Sequence, residues 1–218
     1  VAKILTGMAC DQSNTFVVEL SGAGSAFEFS FKNDETGIVE TRSNQNAGQI
    51  TVTANTTNPN KVVEYTLVSV SDNSGSICPG VVLDTFRLYP TPSVTITTNQ
   101  NAYCPSENVQ LFYDLTGIGP WKVSLDTNNI FYKDFFPTDS VGIELLNDIT
   151  APGNYVIQAR VEDQAPDGPA CVQNTPSPGA SIAVMNGPGV NVSITSGVTD
   201  YCVNTSVDLE FNEVSGDA

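Results

Sequence analysis

Cys10 and Cys78 stand 68 residues apart and Cys104 and Cys171 stand 67 apart, while Cys10 to Cys104 spans 94 residues and Cys104 to Cys202 spans 98. A spacing that recurs inside one chain marks an internal duplication, and a duplication restricts the fold more than composition does. The 218 residues read as two complete copies, 1–90 and 91–187, followed by the start of a third, 188–218.

The flanks of the cysteines keep the same register. Each first cysteine is followed by alternating apolar residues: Phe16, Val18 and Leu20; then Val109, Leu111 and Tyr113; then Val207, Leu209 and Phe211. A period of two marks a strand with one buried face. Glycine turns follow at Gly22, Gly117 and Gly216, and later strands begin at Tyr65 and Tyr155. Phe27 to Phe31, Ile50 to Ala54, Trp121 to Leu125, Val141 to Leu146, Leu83 to Leu88 and Ile182 to Met185 supply further candidates. No window repeats apolar residues at helical spacing. About seven short strands in each copy predict tandem immunoglobulin-like β-sandwiches; a small barrel or jelly roll is the competing all-β arrangement.

Pairing of Cys10 with Cys78 and of Cys104 with Cys171 predicts one disulfide inside each copy, with Cys202 unpaired because its partner lies past Ala218. Bridges of that kind require an oxidising compartment, so the expected location is extracellular or on a cell surface. A formal charge of −16 argues against nucleic acid and anionic lipid as partners. No apolar run is long enough to cross a bilayer. The absence of histidine removes the Ser-His and Cys-His couples, and Cys202 has no base nearby, so no enzyme is expected.

Two ligand hypotheses attach to particular residues. Acidic turns at Asp72, Asp163 and Asp167 offer clustered oxygens to a calcium ion, although none follows a spaced calcium-loop pattern. No other cofactor is expected. The rings of Trp121, Tyr132 and Phe135 could stack on a sugar; the competing reading places them in the core. If they face a ligand, the chain would be a carbohydrate-binding accessory module of a secreted enzyme rather than a structural rod.

Tyr103-Cys-Pro-x-x-x-Val-x-Leu111 and Tyr201-Cys-Val-x-x-x-Val-x-Leu209, with Gly117-Ile-Gly-Pro-Trp121 downstream, resemble the immunoglobulin-like or PKD-like repeats of very large cell-surface adhesins and gliding-motility proteins of Bacteroidetes. The resemblance implies a type IX secreted, stiff anionic stalk that works in adhesion. Its partners would be neighbouring repeats, surface polysaccharide and cell-surface or secretion proteins. Asp139-Ser140-Val141 resembles the O-glycosylation acceptor of those bacteria, with Ser140 as the modified residue. The first copy departs from the motif at Ala9-Cys10-Asp11.

Overall fold

In the computed structural model, described over residues 1–72, 84–104, 107–128, 130–149, 151–173, 175–185, 189–194 and 209–215, the chain is all-β. Among the described residues the only helical piece is a 3-10 turn at Asp11–Ser13.

Eight strands build domain 1: β1 (Ala2–Ile4), β2 (Met8–Cys10), β3 (Thr15–Leu20), β4 (Phe27–Asn33), β5 (Val39–Gln45), β6 (Gly48–Thr53), β7 (Val63–Asp72) and β8 (Thr85–Tyr89). They form one sheet ordered β1-β3-β6 and a second ordered β2-β8-β7-β4-β5. All pairs are antiparallel except β2 with β8, which is parallel. The first edge of the sandwich is thus split between the two sheets, as in immunoglobulin-like domains.

Domain 2 repeats the arrangement with β9 (Ser93–Thr98), β10 (Ala102–Tyr103), β11 (Val109–Thr116), β12 (Trp121–Thr127), β13 (Ile130–Phe135), β14 (Val141–Leu146), β15 (Gly153–Asp163) and β16 (Ala180–Val184). Its sheets run β14-β11-β9 and β10-β16-β15-β12-β13, and β10 is parallel to β16. A further antiparallel pair, β17 (Gly189–Ile194) with β18 (Leu209–Ser215), follows.

Alternation explains the packing. Phe16, Val18 and Leu20 point inward from β3, and Phe27, Phe29 and Phe31 point inward from β4. The two sheets meet through stacked rings of Phe16 and Phe86 with centroids 4.8 Å apart, and Phe31 sets its edge on Phe16 at 5.8 Å. Domain 2 fills the same space mainly with aliphatic residues: Val109, Leu111, Val123, Leu125, Ile157 and Val161 are all buried. Each domain therefore closes a core of its own.

Each core is tied at the same corner. The Tyr65 hydroxyl donates to the Asn55 carbonyl (2.9 Å) and accepts from the Asn55 N–H (2.7 Å); burial raises its pKa. Tyr155, its counterpart, donates to the Ala151 carbonyl at 2.9 Å. A tyrosine anchoring a strand start to nearby backbone is the corner found in many immunoglobulin-like sandwiches.

The disulfide corrects the expected pairing. Cys10 is bonded to Cys171, not to Cys78, and Cys104 is free and exposed, not bonded to Cys171. The geometry of β15 explains the correction. Cys104 follows β10, beside the end of β16 that pairs with Gly153, whereas the Cys171 carbonyl accepts the Asp163 N–H. The eleven residues of β15 separate these two ends by roughly 33 Å, and a disulfide needs Cα atoms within about 7 Å. Cys78 and Cys202 lie outside the described residues.

Candidate functional site at the domain junction

Polar and covalent contacts concentrate where domain 1 hands over to domain 2. Pro90, Thr91 and Pro92 connect β8 to β9, and proline at two of three positions leaves few backbone donors and a restricted φ there. Around this connection Gly117 N–H donates to both the Pro59 carbonyl (2.9 Å) and Asn60 Oδ1 (3.1 Å). The Tyr89 hydroxyl donates to the Asp167 carbonyl at 3.0 Å, and Gln12 Nε2 donates to the Val172 carbonyl at 2.8 Å. The Cys10–Cys171 bridge closes the same boundary, with Cα atoms 5.6 Å apart.

Two glycines permit the close approach. Gly117 has φ +104°, and a Cβ there would lie 2.7 Å from Pro92 Cβ. At Gly168 a Cβ would lie 2.4 Å from the Tyr89 ring. Both positions exclude other residues unless the junction opens.

Asp163 holds the domain 2 side in shape. Its carboxylate is fully buried and accepts the Ala165 N–H at 2.7 Å and the Ile118 N–H at 3.1 Å. Burial raises its pKa, and the two backbone donors pull against that shift. One carboxylate thus joins the 117–120 loop, which meets domain 1, to the 163–171 loop, which carries Cys171.

The residues expected to bind calcium are not gathered into a cage. Asp163 is committed to two backbone donors, Asp167 offers its backbone carbonyl to Tyr89, and Asp72 pairs with Phe27 in domain 1. Among the described residues no three acidic or cysteine side chains converge as metal ligands would.

The expected sugar-stacking set is also redistributed. Trp121 is 8% exposed and belongs to the domain 2 core, which corrects its assignment as a ligand-facing ring. Its strand points it inward together with Val123 and Leu125. Tyr132 and Phe135 are half-buried against that core; Phe135 packs on Tyr113 with centroids 5.4 Å apart, and the Tyr132 hydroxyl donates to Asp148. The rings that do face outward are Phe131, 63% exposed, and Phe136, 68% exposed.

Domain 2 exposes further apolar side chains on the edge strands of both sheets. Val141, Ile143 and Leu145 project outward from β14 in one sheet, and Ile130 and Phe131 are exposed at the start of β13 in the other. The corresponding edge strands of domain 1 are mainly polar outward, with Glu40, Arg42, Ser43, Gln49 and Thr51, and Val39 is the exposed apolar residue of β5. Inward-facing Lys133 on β13 is paired with Glu144 on β14, so charges stand on both sheet edges and discourage strand addition. Ser140 is exposed immediately before β14, and its carbonyl accepts the Leu115 N–H.

No family model matches the chain, and no curated protein matches it. Among solved structures, the fibronectin(III)-like modules of Clostridium thermocellum CbhA match at TM-score 0.35 and 10% identity, over 85% of this chain and 95% of that one. An I-band fragment from titin matches at TM-score 0.47 and 12% identity, over 97% and 76%. A Ca2+-stabilized adhesin by which an Antarctic bacterium binds ice matches at TM-score 0.33 and 14% identity, over 90% of this chain and 52% of that one. Likenesses this distant carry no argument about activity, and the fold assignment rests on the sheet order.

Proposed function

We propose that the chain is a non-catalytic piece of a tandem immunoglobulin-like array in an extracellular bacterial adhesin, serving as an anionic stalk. The observation that carries this reading is the covalent closure of the domain junction by Cys10–Cys171. A bridge between two independently cored domains restrains their relative orientation, which is what a stalk requires and what catalysis in a single domain does not. Disulfide chemistry favours an oxidising compartment. Among the described residues no helix is long and apolar enough to cross a membrane.

The finer assignment to a type IX secreted, gliding-motility adhesin of Bacteroidetes rests on the Tyr103-Cys-Pro and Gly117-Ile-Gly-Pro-Trp121 motifs. In that setting Ser140 would be the O-glycosylated position, next to the outward apolar side chains of β14. Small-angle scattering with and without reductant tests the stalk: the oxidised chain should give one extended, well-defined profile, and reduction should broaden the distance distribution. Identical profiles would overturn the restraining role of the bridge.

The second reading, a carbohydrate-binding accessory module, draws its support from the exposure of Phe131 and Phe136. Glycan-array binding by the whole chain, lost in Phe131→Ala, would favour it; absence of binding by the parent chain would remove it.

A further inference from the structure

Cys10 and Cys104 occupy the same place in their domains. Cys10 ends β2, runs parallel to β8 and stands opposite Tyr89. Cys104 follows β10, which runs parallel to β16 and stands Tyr103 opposite Val184; the Met185 N–H donates to the Tyr103 carbonyl. Met185 thus stands where Tyr89 stands in domain 1, and Tyr89 is a residue of the junction, touching the Asp167 carbonyl.

At that place in domain 1 the cysteine reaches out of its own domain and takes Cys171 of the next. At the same place in domain 2 the thiol is exposed and free. The sulfur that its own domain could offer is already bonded, and lies the length of β15 away.

We propose that Cys104 is a disulfide site for a unit packed after domain 2, bonding to that unit's counterpart of Cys171. The inference rests on the reading of the chain as part of a tandem array. Two thiols form one S–S bond, losing two protons and two electrons to a disulfide oxidant such as oxidised glutathione, which departs as two thiols. The resulting staples are staggered by one unit. Each domain donates a cysteine forward and receives one from behind, so every junction is crossed by a covalent bond and no domain is clamped to itself.

Domain 2 closes its own core, so a second copy of it can serve as the following unit. Residues 1–188 are joined directly to a second copy of residues 93–188, which sets Pro188 where Pro92 stands in the natural connection. Cys78→Ser, and Cys104→Ser in the second copy, remove competing thiols. The protein is oxidised with glutathione, alkylated without reduction and mapped by tryptic mass spectrometry. Cys104 should appear joined to the second-copy Cys171, with its alkylation at least tenfold lower than in the 218-residue chain. Full alkylation of Cys104 beside an intact Cys10–Cys171 bond would overturn the staggered pairing and leave the array reading standing. Absence of the Cys10–Cys171 bond itself would overturn both.

Discussion

Cys10 and Cys171 are bonded across the domain boundary although 161 residues separate them in sequence. Cross-linking so long a loop takes about 5 kcal/mol of conformational freedom from the unfolded chain in the loop-entropy model. Cys10→Ser should therefore lower global stability by several kcal/mol and let the domains melt independently. Calorimetry should show the parent's coupled transition separating into two; an unchanged trace would contradict this.

Gly117 combines a left-handed backbone with a donor shared between Pro59 and Asn60 and with contact to Pro92. Gly117→Ala adds a Cβ where there is no room, at a cost of about 1–3 kcal/mol. The junction should open before either core does. Limited proteolysis should then cut near residues 90–92 at least several-fold faster than in the parent while fragments corresponding to each domain survive.

Asp163 has a raised pKa because it is buried. Its native state holds a proton more tightly than its unfolded state, so its stabilising contribution is complete below the unfolded carboxylate pKa of about 4. That contribution declines as pH rises through the higher folded value. Asp163→Asn removes this titration but leaves only one carbonyl-type oxygen for two backbone donors, at a cost of about 1–3 kcal/mol. Urea midpoints across pH should show the parent's advantage over the variant shrinking as pH rises from 4. An advantage that grows over that range would contradict the assigned shift.

Lys133 faces inward at the sheet edge, donating to Glu144 and, at 3.1 Å, to the Leu145 carbonyl. Removing one partner of a half-buried pair leaves a charge against the core. Lys133→Ala should destabilise domain 2 by about 1–3 kcal/mol, with part of the loss recovered in the Lys133→Ala, Glu144→Ala double variant. Replacing both with valine should instead promote association through the exposed edges, visible as concentration-dependent light scattering. Additive single effects would show that the two charges are uncoupled.

Strand positions were legible where apolar alternation with one buried face runs for five residues or more. Phe16-Val18-Leu20, Phe27-Phe29-Phe31 and Trp121-Val123-Leu125 alternate in sequence and alternate in burial. β5 escaped the pattern because Val39–Gln45 is exposed along nearly its whole length and carries no apolar period. β1, β2 and β10 escaped because two or three residues are too few to show one.

The junction was far less legible. The equal spacings of 68 and 67 residues measure the repeat, and any pairing displaced by one whole repeat preserves the same regularity. What breaks the tie is the length of β15, which sets Cys104 and Cys171 at opposite ends of one strand. Trp121 offered the opposite lesson: its alternation with Val123 and Leu125 already pointed it into the core. The interdomain donors of Gly117 and Tyr89 meet backbone carbonyls, which carry no mark in sequence.

Disulfide mapping of the intact, unreduced chain tests the central claim most directly. Trypsin separates Cys10, Cys78 and Cys104 into peptides 4–32, 62–87 and 88–122, and leaves Cys171 with Cys202 in 161–218; Cys202→Ser makes the last assignment unique. A covalent pair of 4–32 with 161–218, and an alkylated Cys104, is the result predicted. Pairs of 4–32 with 62–87 and of 88–122 with 161–218 would show that each domain is clamped to itself and that the stapled junction does not exist.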